Sequence, residues 1–140
     1  MTNGPGPLFL GLDLSTQALK ATLLDVHLQG IDEVHVHFDR DLPRFHTKGG
    51  VLPSGDPLLD EPDAAAAPVE MYVSAMDMLW DRIVHGRKWP VQHIVSISCG
   101  GQQHASVCLS EDACARLGKV RGDQSLHAQL GHGFFSRVVV

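Results

Sequence analysis

The chain has 140 residues, 44% hydrophobic and 19% charged, with a formal net charge of −5. That length suits one ordinary domain with a real core, and the balance argues against a disordered or membrane-spanning chain. The charge offers no basic footprint for nucleic acid. Cys99, Cys108 and Cys114 make an odd count without a C-x-x-C pair. A disulfide framework and a zinc ribbon are therefore not expected, and a reducing, cytoplasmic setting is.

The start, "MTNGPGPLFLGLD", has no basic region, and its apolar run stops at Asp13, too short for a signal peptide or a membrane span. Residues 1–7 are expected to form a flexible N-terminus, with one domain over 8–140. "PLFLGLDLS" and "LKATLLDV" are apolar runs of strand length separated by "STQA", the pattern of a β-hairpin. "IDEVHVHFD" alternates, with Val34, Val36 and Phe38 on one face and Glu33, His35 and His37 on the other, so a half-buried strand is expected. His35 and His37 could chelate a metal from that face, but two imidazoles without a third ligand fit a solvated face better.

Residues 39–67 carry four prolines and glycines at 49, 50 and 55 without periodicity, and read as one long loop. Val69, Tyr72, Val73, Met76, Leu79, Trp80 and Ile83 then recur at three and four residues. This spacing predicts an amphipathic helix with Pro68 at its first position, Gly86 as its stop, and Trp80 and Trp89 in or beside its core. "VQHIVSISC" reads as a strand apolar on both faces and so inside a sheet. "ASVCLS" reads as a short strand, "EDACARL" and "SLHAQL" as helical turns, and "FFSRVVV" as an apolar ending. Together these elements predict a mixed α/β sheet.

Two places carry chemistry. At the hairpin, an apolar strand meets Asp13, followed by Ser15, Thr16 and Gln17, with Lys20 seven residues on. A polar turn offers N–H groups and hydroxyls to a phosphate, an Asp beside it can hold Mg²⁺, and a Lys can neutralise phosphate oxygens. The same residues also make a plain β-turn with local hydrogen bonds. Gly118-Lys119 is not a Walker A motif. The second place is "ISCGGQQH", residues 97–104. There Gly100-Gly101 would let the chain leave a buried strand sharply, and Gln102, Gln103 and His104 offer neutral donors and acceptors. A core histidine with two surface glutamines is the plain alternative.

"FLGLDLSTQALKATLLD" resembles the first phosphate-binding hairpin of sugar kinases in the actin and hexokinase superfamily. "HFDRDLPRFHTKGGV" and "ISCGGQQHASV" narrow the resemblance to the FGGY carbohydrate kinases, and within them to the eukaryotic xylulose kinases. The typical motif there is close to S-G-A-G-Q-Q-H-G-S, where residues 98–106 read "SCGGQQHAS". The resemblance spans residues 8 to 109 and continues more weakly through "DQSLHAQLGHGFFSR".

It implies the first of two RNase H-like domains, a mixed sheet with helices, incomplete at its C-terminal end. It also implies ATP- and Mg²⁺-dependent phosphorylation of D-xylulose to D-xylulose 5-phosphate. Under it, Asp13 organises the metal, and Ser15, Thr16, Gln17 and Lys20 meet the nucleotide phosphates. His104, Gln103 and Gln102 meet the ketose, in the cleft between the two domains. Asp39, Arg40, Asp41, His46, Gly49 and Gly50 resemble a family loop near the substrate side; a solvated charge run is the plain alternative for the first three. Cys99 and Ala105 depart from the usual residues, and the chain ends at "SRVVV" where the family goes on to a Trp-Met-Asp stretch. The general base and most of the nucleotide site are thus expected beyond residue 140, and the chain alone is expected to be inactive. The alternatives are a non-catalytic remnant that binds a sugar or a partner, and a kinase for another ketose or polyol such as ribulose.

Overall fold

A computed structural model describes residues 6–56, 65–103, 105–131 and 133–139. Strands β1 (Leu8–Leu14), β2 (Ala18–Leu24) and β3 (Gly30–His37) form an antiparallel meander. Strand β4 (Ile94–Gly100) joins β1 in parallel, giving the sheet order β3-β2-β1-β4. The sheet is mixed, as the sequence pattern implies. Leu19, Ala21 and Leu23 of β2 and Val34 and Val36 of β3 are buried at every second position. Alternation therefore sends one face of the meander into the core and leaves the other polar.

Helix α2 (Val69–Asp81) covers the apolar face. Met71, Ala75, Leu79 and Ile83 recur every four residues and are fully buried. They pack against Leu10, Leu19, Ala21, Val34, Val36 and Phe38 in one cluster. Burying each large side chain contributes about 1.5–3 kcal/mol. Pro68 is the extended cap before the helix rather than its first helical residue. The helix loosens into a π-turn over Arg82–Gly86 before Trp89 closes onto the core, its ring nitrogen donating to Asp32 Oδ2 at 2.8 Å. Trp80, by contrast, is 43% exposed. Leu79 and Ile83 hold the core-facing stripe, and one further residue rotates a side chain about 100° away from it.

Residues 39–51 are less irregular than their composition predicts. A short helix α1 (Phe38–Asp41) and a 3₁₀ turn (Pro43–Phe45) begin the segment. Lys48 and Val51 then pair across a two-residue turn.

Strand β4 contradicts the expectation of an interior strand. It lies at the sheet edge, with Val95 63% and Ile97 54% exposed. Helix α2 packs mainly over β2 and β3, and β4 beyond Ile94 is exposed along its length. An apolar run shows that a strand can be buried, not which element covers it. Beyond it, β5 (Ser106–Leu109) and β6 (Phe135–Val139) form a separate antiparallel pair. The predicted helical turns are α3 (Ala113–Leu117) and α4 (Leu126–Leu130). Ala113, Leu130 and Phe134 make a second small core that also takes in Val73 of α2. The Asp77 carboxylate of α2 accepts the first amides of α4, from Leu126 at 2.7 Å and His127 at 2.8 Å. Among the described residues no helix is long and apolar enough to cross a membrane.

Candidate functional site

The two chemical stretches meet at one end of the sheet. Strands β1 and β4 run parallel, with Asp13 paired to Gly100, so both leave the sheet at the same edge. In open α/β sheets that carboxyl edge is the usual place for a ligand. Asp13 is exposed there, and a Cβ added at Gly100 would lie 3.7 Å from its Oδ1. Lys20 is the cross-strand neighbour of Asp13 on β2, and His35 that of Lys20 on β3. These three side chains therefore share the polar face of the sheet.

The hairpin turn is built by Ser15. Its amide and hydroxyl both donate to the Ala18 carbonyl, at 2.9 and 3.1 Å, and the hydroxyl accepts from the Ala18 amide at 3.3 Å. Ser15 thus spends its side chain on the turn. Thr16 sits at the tip and is exposed, and its hydroxyl accepts a 2.6 Å hydrogen bond from Gln102 Nε2. That bond joins residues 86 positions apart, from two stretches assigned separately to phosphate and to sugar. The Gln17 carbonyl accepts the Phe38 amide at 3.0 Å. Among the described residues the amides of Thr16 and Gln17, at the tip of the hairpin, donate to no other group.

A second turn supports the first. Lys48 to Val51 is a tight turn with positive φ at both central residues, 65° at Gly49 and 84° at Gly50. A Cβ at Gly50 would stand 1.8 Å from the Thr16 carbonyl oxygen. Only glycine allows both this dihedral and this approach. The Asp39 carboxylate holds the turn from behind. It accepts the Thr47 hydroxyl at 2.8 Å, the Gly49 amide at 2.6 Å and the Gly50 amide at 3.1 Å. Burial pushes its pKa upward, but the bonds from Thr47, Gly49 and Gly50 outweigh that effect and hold it below the usual carboxylate value. Asp41 is held well below that value too, first by the Arg40 guanidinium against the opposing effect of burial, then by Arg82 and the His37 amide. It belongs to the fold, tying β3 to the end of α2.

Of the sequence-predicted residues, Asp13, Thr16 and Gln102 come together, with Ser15, Gln17 and Lys20 around them. Gln103 is exposed and makes no hydrogen bond among the described residues. His104 lies outside the described residues. Gly100 and Gly101 do not adopt the positive φ that a glycine-only bend would use. Strand β4 instead runs extended to Gly100, where a Cβ would meet Asp13 only at ordinary contact distance, so neither a sharp exit nor crowding accounts for the glycine. His35 pairs with Glu33 at 3.3 Å, and among the described residues no three metal-ligating side chains converge. Glu33 is held below its usual value first by that His35 contact, then by the Thr22 hydroxyl, with Lys20 adding its charge. On the opposite side of the strand ends lies an apolar cleft lined by Leu12, Leu14, Leu19, Tyr72, Met76 and Cys99. The Tyr72 hydroxyl is buried there without a partner among the described residues. Sequence reasoning left the Asp39 contacts unassigned; the Gly49-Gly50 pair behind an acidic stretch was the only available signal.

The described fold, with its polar hairpin turn beside the end of a parallel strand, has counterparts among sugar kinases of known structure. The described fold superposes on a xyloylose kinase from Brucella ovis with a TM-score of 0.55 at 22% identity, over 75% of this chain and 18% of that one. A ligand-bound xylulose kinase from Lactobacillus acidophilus gives 0.51 at 18% identity, over 76% and 18%. In sequence the chain is 41% identical to the xylulose kinase of Schizosaccharomyces pombe over 123 residues, 88% of this chain and 20% of that protein. It is 36% identical to xylulose kinase 2 of Arabidopsis thaliana over 130 residues, 93% and 22%. No protein-family profile matches the chain. Over most of its length the chain is thus similar in sequence to one segment of the xylulose kinases, and in fold to sugar kinases of known structure. It spans about a fifth of the length of the curated relatives it matches.

Proposed function

We propose that the kinase containing this segment transfers the γ-phosphoryl group of ATP to the terminal hydroxyl of D-xylulose, with Mg²⁺. The observation that carries this reading is the Gln102–Thr16 hydrogen bond, which joins the glutamine loop to the hairpin turn beside Asp13. Phosphoryl transfer needs nucleotide and acceptor held in line, so a phosphate turn and a sugar loop in contact are what such a reaction demands. The names of the sequence relatives support the choice of ketose.

In this reading the Thr16 and Gln17 amides and Lys20 receive the phosphates. Ser15 holds the turn rather than the ligand. A lone exposed carboxylate beside a polar turn fits Mg²⁺, which is commonly held by one or two carboxylates together with phosphate oxygens. Asp13 would hold it, directly or through water, and the ion would supply positive charge against the phosphates. Gln102 orients the loop through Thr16, while Gln103 and His104 reach the sugar hydroxyls, where neutral groups select by direction rather than charge.

Steady-state kinetics of the full-length protein test this. Asp13→Asn is expected to lower kcat by two decades or more, roughly 3 kcal/mol, with little change in the sugar KM. His104→Ala is expected to raise the sugar KM and leave the ATP KM in place, a loss of about 0.5–1.5 kcal/mol. Turnover with ribulose but not xylulose would correct the substrate. Normal kcat and Mg²⁺ dependence in Asp13→Asn would remove phosphate chemistry from the hairpin.

A further inference from the structure

The family loop that begins at Asp39 reaches the hairpin through its Gly49-Gly50 backbone. The Asp39 carboxylate is used up: Oδ1 accepts from Thr47 and Gly50, and Oδ2 from Gly49. The turn it holds presses its Gly50 backbone onto the Thr16 carbonyl, and Gly49 faces the Gln17 side chain. On the other side the Phe38 amide, one residue before Asp39, donates to the Gln17 carbonyl. The tip of the hairpin is therefore gripped from two directions by one short stretch of chain. From a third direction Gln102 reaches Thr16.

We infer that Asp39 is a positioning residue that clamps the Gly49-Gly50 turn against Thr16 and Gln17 and so sets where the hairpin amides point. This rests on the reading of the hairpin as a phosphate site. Backbone donors stabilise an anion only when they are aimed before it arrives, since aiming them afterwards costs reorganisation. A two-glycine turn has much conformational freedom to lose, and a carboxylate that accepts both of its amides removes that freedom. Gly50 then transmits the position by direct backbone contact. Thr47 adds a lesser hold, because its hydroxyl serves the same Oδ1.

The variants Asp39→Ala, Asp39→Asn and Thr47→Val test this in the full-length protein, with Lys48→Ala as a control at an exposed neighbour. Asn keeps an acceptor for Thr47 and Gly50 but sets an NH₂ against the Gly49 amide, so its effect should fall below that of Ala. The first readout is amide hydrogen exchange at Ser15 and Ala18, whose bonds close the hairpin turn. Asp39→Ala is expected to speed it tenfold or more, Asp39→Asn less, and Lys48→Ala not at all. The second readout is kinetic: the KM for MgATP is expected to rise about tenfold in Asp39→Ala, with a smaller rise in the sugar KM. Unchanged exchange at Ser15 and Ala18 overturns the clamp whatever the kinetics show. Faster exchange with an unchanged KM for MgATP leaves the mechanical contact standing, but overturns Asp39's role in phosphate binding and the phosphate reading of the hairpin with it.

Discussion

Gly50→Ala isolates the contact between the two turns. A methyl at this position meets the Thr16 carbonyl oxygen at 1.8 Å and the Thr16 carbonyl carbon at 2.8 Å, both backbone atoms. Relieving the overlap requires roughly 1.6 Å of separation, which a packed backbone cannot give locally. Either the Gly49 and Gly50 amides leave Asp39, or the Ser15–Ala18 turn opens. Hydrogen bonds to a charged acceptor contribute about 1.5–3 kcal/mol each, and the left-handed dihedral adds about 1–2 kcal/mol for a residue with a Cβ. Losing both bonds brings the total to about 4–8 kcal/mol, or about 10–30 °C in Tm for a domain of this size. Gly55→Ala supplies the control. Its φ is +79°, close to the +84° of Gly50, yet a Cβ there meets nothing within 4 Å. It should cost only the dihedral, about 1–2 kcal/mol. Thermal and urea unfolding of both variants make the comparison. Equal losses in the two would show that the turn does not press on the hairpin.

Three further outcomes follow from the fold. Asp41 has a folded-state pKa below its unfolded value of about 3.9, so the unfolded chain binds more protons in that window and stability is lost as pH falls below about 4; Asp41→Asn should lower the unfolding free energy at pH 7 by about 1.5–3 kcal/mol, read from urea unfolding, with the gap from wild type closing in acid. Trp89→Phe removes the leading cause of the lowered Asp32 pKa, the ring N–H hydrogen bond, so an NMR titration should find the Asp32 carboxyl nearer its usual value. The uncovered β4 edge carries Val95 and Ile97 in solvent, so the 140-residue chain should self-associate; Ile97→Lys should raise its monomer fraction in sedimentation without lowering Tm, and an unchanged distribution would remove β4 as the contact.

The meander and α2 were legible because periodicity reports directly on burial: Val34 and Val36 at period two, and Leu79 and Ile83 four apart, each point into one core. The edge position of β4 was not legible, since Val95 and Ile97 look the same whether or not a helix covers them. The loop after Asp39 was opaque for a different reason. Its order comes from one carboxylate accepting amides ten and eleven residues away, and side-chain-to-backbone bonds of that kind leave no period. Trp80 was misplaced because an aromatic next to a core stripe raises the apolar count without sharing the stripe's direction. At the site, the separate stretches were visible as motifs. Their contact through Thr16 and Gln102 was not, because it depends on the parallel pairing of β1 with β4.

That contact is open to direct measurement through a double-mutant cycle on Thr16→Val and Gln102→Ala in the full-length protein, read as kcat/KM for ATP and for the ketose. If the hairpin and the glutamine loop form one site, each single variant should weaken both substrates, and the double variant should lose less than the sum. The expected coupling is about 0.5–1.5 kcal/mol, the net value of one hydrogen bond. Strict additivity, with Thr16→Val acting on ATP alone and Gln102→Ala on the ketose alone, would contradict a shared site.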